Sequence, residues 1–204
     1  MYAGLDLSAR TDLTALVLIG QDDDGVWHAQ PFFWPPEAGL QDHAHRDSAP
    51  YDVWACQGLL RTTPGAAIDY EVIARDMAEI LSDLDIQAVA FDRWRIDVLK
   101  KELDRLGMDL PLVPFGQGFK DMGPPSMPLE VALLDRQVAR GGNPVLTMCA
   151  ANATTMKDPA GNRKLDKSRT TGRIDGIVAL AMAFGIAAQH EQTGVINAKE
   201  IFFV

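Results

Sequence analysis

Tyr2-Ala3-Gly4-Leu5-Asp6-Leu7-Ser8-Ala9-Arg10-Thr11-Asp12-Leu13-Thr14-Ala15-Leu16-Val17-Leu18-Ile19 is the stretch whose reading decides the fold. Two apolar runs, residues 2–7 and 13–19, flank a five-residue polar turn, which predicts a pair of antiparallel strands. Residues 26–34 alternate and are rich in aromatic side chains, so a third strand follows the turn Asp22-Asp23-Asp24-Gly25. Beyond Pro35-Pro36 the period changes. A polar stretch to residue 49 reads as loop with a short helix, residues 51–57 as a second short helix, and 59–62 as a short strand. Asp69 is placed as an N-cap ahead of Val72, Ile73, Met77, Ile80, Leu81 and Leu84, which recur at helical spacing. Strands are then predicted over 87–91 and 112–115, with helices over 96–106, 128–139 and 174–189. Residues 145–147 and 149–155 read as short elements, and Asp158-Pro159-Ala160-Gly161-Asn162 as a hairpin tip. Three strands followed by alternating helices and strands predict an α/β fold, a mixed central sheet flanked by α-helices.

With 204 residues, 47% of them hydrophobic, the chain can bury one sizeable core, and residues 1–204 are read as a single domain. The longest apolar run, residues 177–188, is too short to cross a bilayer and reads as a core helix, so no membrane contact is expected. The abrupt entry into a strand predicts a piece of a longer polypeptide without a secretory leader. Cys56 and Cys149 lie far apart with no CxxC pattern and are read as two buried free thiols, in keeping with a reducing cytosol.

Three short segments each deliver one aspartate: Ala3-Gly4-Leu5-Asp6, Val89-Ala90-Phe91-Asp92 and Arg173-Ile174-Asp175-Gly176. Taken singly, each has a plain structural reading. Asp6 would cap a turn, Asp92 a helix start, and Asp175 would complement a helix dipole. Three carboxylates at the edge of one core are costly to bury unless a cation neutralises them. One or two hard cations, Mg²⁺ or Mn²⁺, would take such oxygen ligands and activate a water for phosphodiester hydrolysis.

The formal charge of −9 argues against a nucleic-acid partner until its distribution is considered. Residues 1–69 hold ten acids against Arg10, Arg46 and Arg61, whereas residues 157–173 hold Lys157, Arg163, Lys164, Lys167, Arg169 and Arg173 against two acids. Composition alone reads the basic segment as a solvated loop; a local positive field beside Asp175 would instead make it a surface for phosphates. The loop Gly116-Gln117-Gly118-Phe119-Lys120 lacks the full phosphate-cradle pattern, and Pro124-Pro125 is read as barring a helix behind it. It is assigned a structural or substrate-gating role. The four histidines lack ligand spacing. Of the four tryptophans, Trp94 lies nearest to an acid of the proposed site.

The order of elements, with aspartates on the first strand, after the fourth and on the last helix, is that of the RNase H-like fold. The chain resembles the C-terminal nuclease domain of the large terminase subunit of tailed double-stranded DNA phages. The resemblance rests on Gly4-Leu5-Asp6-Leu7-Ser8 with Asp12-Leu13-Thr14-Ala15, Thr63-Pro64-Gly65, Phe91-Asp92-Arg93-Trp94, the 115–120 loop, Gly142-Asn143-Pro144, Gly161-Asn162-Arg163-Lys164 and Arg173-Ile174-Asp175-Gly176. It implies Mg²⁺- or Mn²⁺-dependent cleavage of concatemeric double-stranded DNA in the host cell cytoplasm. It places metal ligands at Asp6, Asp92 and Asp175, with Asp12 also on the motif. Lys167 is assigned to the scissile phosphate. The implied partners are an N-terminal packaging ATPase domain, the portal and the small terminase subunit; no Walker A sequence occurs in this chain. Two other readings fit the opening strands: an actin- or sugar-kinase-like ATPase lobe, and a catalytically silent DNA- or protein-docking module on the same fold. ATP turnover would mark the first; failure to bind metal would mark the second.

Overall fold

A computed structural model of the chain describes residues 1–93, 96–170 and 172–191. Three strands come first, β1 (Tyr2–Asp6), β2 (Thr14–Gln21) and β3 (Trp27–Trp34), followed by the short helices α1 (Leu40–Asp47) and α2 (Tyr51–Cys56). Then come α3 (Tyr70–Leu81), β4 (Ala88–Phe91), α4 (Ile96–Arg105), β5 (Leu112–Pro114), α5 (Phe119–Leu134) and β6 (Val138–Ala139). Helix α6 (Pro144–Ala151), the hairpin β7 (Thr155–Lys157) and β8 (Arg163–Leu165), and α7 (Asp175–Glu191) complete the order. The main sheet runs β5-β4-β1-β2-β3-β6. The β1–β2 and β2–β3 pairs are antiparallel, while β4 joins β1, β5 joins β4 and β6 joins β3 in parallel. The sheet is therefore mixed and flanked by helices, as its sequence predicts.

Strand β1 sits at the centre with all five residues buried, because helices cover both of its faces. Its alternation sorts the two layers. Ala3 and Leu5 pack with Leu16, Leu18, Val89 and Phe91 against α3 and α4. On the opposite face Tyr2 joins Ala15, Val17, Ile19, Ala88 and Ala90 beneath the small residues of α7, Ala179 and Ala183 among them. Gly4 faces these residues, and a Cβ there would run into the Ala179 carbonyl. Two backbones thus meet where any larger residue would hold them apart. Asp69 caps α3 as its position predicts, accepting from the Glu71 and Val72 amides.

Four local readings are corrected. The sequence pattern bars a helix behind Pro124-Pro125 and places one over 128–139. The structure instead runs α5 from Phe119 through Pro124, Pro125 and Pro128 to Leu134. Met122, Pro125, Leu129 and Ala132 are its buried residues, and the helix packs on α7, so packing overrides proline's poor helix propensity. The Ser126 hydroxyl donates to the Met122 carbonyl within that turn. The chain then reverses through Arg136 at positive φ, and residues 138–139 leave the helix to pair with β3. Residues 145–147 and 149–155 are not two short elements. Asn143 accepts from the Val145 and Leu146 amides, both at 3.0 Å, and starts one helix with Pro144 in its first turn. Residues 59–62 form no strand; a single bridge joins Pro36 to Thr63 nearby. Finally, Cys56 is exposed and only Cys149 is buried.

Candidate metal centre

Parallel pairing of β1 with β4 sets Leu5 opposite Phe91, so the next residue of each chain, Asp6 and Asp92, falls at the same end of adjacent strands. Leu5 faces α3 and α4, hence Asp6 faces α7. Helix α7 packs along β1 and starts at Asp175. Three residues separated by about 80 positions along the chain are thereby brought to one sheet edge.

Lys167 comes from the segment between β8 and α7. Its Nζ donates to Asp6 Oδ2 at 2.6 Å and lies 3.6 Å from Asp175 Oδ1. The turn that aims it is built by Asp166, whose Oδ1 accepts from the Ser168 amide at 2.9 Å and from the Ser168 hydroxyl at 2.6 Å. Those bonds hold the Asp166 carboxyl below its ordinary range. Burial pushes the Asp6 carboxyl up, and the Lys167 charge only partly offsets this. Asp175 is pushed up to about 7, first by burial and then by the charge of Asp6. For Lys167, burial pulls downward, but the Asp6 and Asp175 charges outweigh it and hold the ammonium above its ordinary range. The Asp92 charge adds to both Asp6 and Lys167 in the same direction, which places it within the same field.

Gln117 completes the surroundings of Asp6. It lies in the loop between β5 and α5, and its Nε2 donates to Asp6 Oδ1 at 3.2 Å. Sequence reasoning singled out this loop without assigning it a site contact. The signal was the glycine pair around Gln117: a Cβ at Gly116 would strike the Asp121 carboxylate, and Gly118 caps α5.

Asp12 stands at the rim, 56% exposed, paired with Arg173, and its charge raises Asp175. Arg173 itself is turned inward. Its Nε lies 3.2 Å from Asp47 Oδ2, and the Asp47 side chain is only 2% exposed. The same carboxylate accepts from the Tyr51 hydroxyl at 3.0 Å and from Arg46 Nε at 3.1 Å. His43 is buried beside them, and burial and then Arg46 hold its pKa below the ordinary value. Since arginine only donates, Nδ1 of the neutral ring is the acceptor for Arg46 at 3.1 Å and Arg173 at 3.5 Å. The start of α7 is thus tied to α1 and α2, a connection with no counterpart in the sequence patterns.

The remaining basic residues spread along the hairpin and its exit. Lys157 lies opposite Arg163, whose Nη1 reaches Glu130 at 3.1 Å. Lys164 Nζ donates to the Gln117 carbonyl at 3.2 Å and lies over the Phe119 ring. Arg169 is 77% exposed and 3.5 Å from Asp166. Trp94 lies outside the described residues. Among the described residues no three Asp, Glu, His or Cys side chains are gathered closely enough to grip an ion as they stand. The Lys167 ammonium bridges Asp6 and Asp175 instead.

The model for the terminase large subunit endonuclease domain matches residues 1–191. The terminase large subunit of Enterobacteria phage HK97 is 60% identical over 186 residues, covering 91% of this chain and 37% of that protein. The chain therefore spans well under half of that relative's length. The crystal structure of the HK97 large terminase superposes with a TM-score of 0.87 over 91% of this chain and 39% of its own. The large terminase nuclease from thermophilic phage G20c shares the fold at 14% identity, with a TM-score of 0.56 over 90% of this chain and 80% of its own. That nuclease has also been solved with magnesium and with cobalt bound.

Proposed function

This chain belongs to the family of terminase large-subunit endonuclease domains, and we propose that it is an RNase H-like nuclease that cuts concatemeric double-stranded DNA with Mg²⁺ or Mn²⁺. The observation that carries this reading is the convergence of Asp6, Asp92 and Asp175 on one sheet edge, with the Lys167 ammonium seated against two of them. The residues suit a divalent cation: two buried carboxylates of raised proton affinity require positive charge, and the donors are hard oxygens. The G20c nuclease, which shares the fold, takes magnesium and cobalt.

Asp6, Asp92 and Asp175 would hold one or two ions, with Asp12 as a further carboxylate at the rim. When bound, the ion would supply Lewis-acid activation of a water and neutralise charge on the phosphate. Lys167, which neutralises Asp6 and Asp175 here, would serve to hold the scissile phosphate. Lys157, Arg163, Lys164 and Arg169 line the approach and would hold the DNA backbone, whereas Arg173 is committed to Asp47 and Asp12 and serves the site from within. Residues 1–204 act as one nuclease domain, C-terminal to a packaging ATPase, and meet the portal and small subunit in the host cytoplasm.

Plasmid nicking tests the reading directly. Nicking should require Mg²⁺ or Mn²⁺, stop with chelator, and be lost in Asp6→Asn, Asp92→Asn and Asp175→Asn with the fold retained. Mn²⁺ should also raise the melting temperature of the wild type, and much less that of Asp175→Asn, because ligand that binds only the folded state stabilises it. A wild type that neither cuts nor responds to either ion would overturn the assignment.

A further inference from the structure

Both oxygens of Asp6 are engaged, one by a charged partner and the other by a neutral one. Lys167 holds Oδ2, and the Gln117 amide holds Oδ1. A carboxylate oxygen offers two acceptor directions, so a neutral donor on Oδ1 leaves room for a cation there while fixing the rotation of the group. An ammonium can be displaced by a metal; a neutral amide is not in electrostatic competition with one.

The loop that carries Gln117 is anchored at both ends. Upstream, the Phe115 amide donates to the Phe91 carbonyl at 2.8 Å, and the Phe115 ring is buried where a Cβ on Gly185 of α7 would touch it. Downstream, the Gly118 carbonyl accepts from the Met122 amide at 2.9 Å as α5 begins. Between these anchors the Gln117 carbonyl accepts from Lys164 of β8. One residue therefore joins β1, the strand that supplies the central carboxylate, to the hairpin that flanks it.

We propose that Gln117 is a positioning residue of the metal site, fixing the Asp6 carboxylate through its side-chain amide and tying that geometry to Lys164 through its carbonyl. This rests on the nuclease reading above and adds to it a residue that is not a ligand. Partners of this kind orient metal-binding carboxylates, and their loss typically weakens metal affinity by ~10-fold or more.

The test is Mn²⁺ titration of the melting temperature without DNA, on wild type, Gln117→Leu, Gln117→Glu and Lys164→Met. Gln117→Leu keeps the bulk but removes the donor, and should shift the Mn²⁺ midpoint upward by about 10-fold. Gln117→Glu places a fourth carboxylate beside Asp6, so the metal-free protein should melt lower and the midpoint should move the opposite way, to lower Mn²⁺. Lys164→Met should move it in the same direction as Gln117→Leu, by less. A role confined to loop stability would lower every melting curve and leave the midpoints where they were. Unchanged midpoints in both Gln117 variants would overturn the proposal, and an unchanged midpoint in Lys164→Met would overturn its second link. If the wild type itself gives no Mn²⁺ response, the nuclease reading fails instead, which separates the two outcomes.

Discussion

Gly4→Ala is the smallest change that should separate the two halves of the site. The added methyl would lie 2.8 Å from the Ala179 carbonyl carbon and 2.8 Å from the Ala183 amide nitrogen, and closer still to the Ala179 oxygen. Carbon contacts are comfortable from about 3.5 Å, so β1 and α7 would have to part by about 1.5 Å to clear the oxygen. Neither side can yield by rotating a side chain, because the obstructing atoms are backbone. Overpacking of a well-filled core costs typically 1–3 kcal/mol, and with no rotamer to relieve it this site belongs at the upper end, about 3 kcal/mol. The same displacement moves Asp175 away from Asp6, because α7 carries one and β1 the other. Urea unfolding should therefore show a lower midpoint, and Mn²⁺ stabilisation should be weaker than in the wild type. A Gly4→Ala protein with a wild-type urea midpoint and a wild-type Mn²⁺ response would refute the claim that β1 and α7 are in backbone contact.

Arg173→Ala should cost about 3 kcal/mol in urea unfolding, since it leaves the buried Asp47 carboxylate short of its deepest cation, although Arg46 and Tyr51 remain. A loss below 0.5 kcal/mol, the range of ordinary surface substitutions, would show the pair to be dispensable. Asp175 carries a folded-state pKa of about 7 against an ordinary 3.8, so the metal-free domain should lose stability as pH rises from about 4 to about 7, the region in which the unfolded carboxyl ionises and the folded one resists. Asp175→Asn should flatten that slope, and an unchanged pH profile would contradict the shift. Replacing Lys157, Arg163 and Arg169 together by alanine should weaken DNA binding and reduce the salt slope of log K by up to about 2.7, at ~0.9 per lost phosphate contact, with the Mn²⁺ response intact. Identical salt slopes would mean that the hairpin is a solvated face.

The fold was legible where periodicity and burial agree. Strand β1 reads as apolar because helices cover both of its faces, and α3 announces itself through Asp69 and a regular apolar stripe. Helix α5 defeats the same logic. Its prolines argue against a helix, and what overrides them is the fit of Met122, Pro125 and Leu129 against α7, a contact between segments some 60 residues apart that no window along the chain contains. Helix α6 was missed for a smaller reason. Its start signal, the Asn143-Pro144 cap, is present, but the apolar residues behind it show no regular stripe and read as two short elements, 145–147 and 149–155.

The site divides along a similar line. Asp6, Asp92 and Asp175 could be picked out because each ends or begins a regular element, and the order of those elements fixes where each one lands. Lys167 could be singled out among six basic residues, but its seat against Asp6 and Asp175 depends on the Asp166–Ser168 turn, which no pattern along the chain announces. Gln117 carried no charge, periodicity or ligand chemistry to mark it. Its contact with Asp6 spans 111 residues of sequence and depends on the strand order of the sheet and on a loop pinned between β5 and α5. Residues that bear charge must be neutralised somewhere, and that demand shows in the sequence. A residue that only orients a charge makes no such demand, and becomes visible only once the carboxylate it holds has been placed.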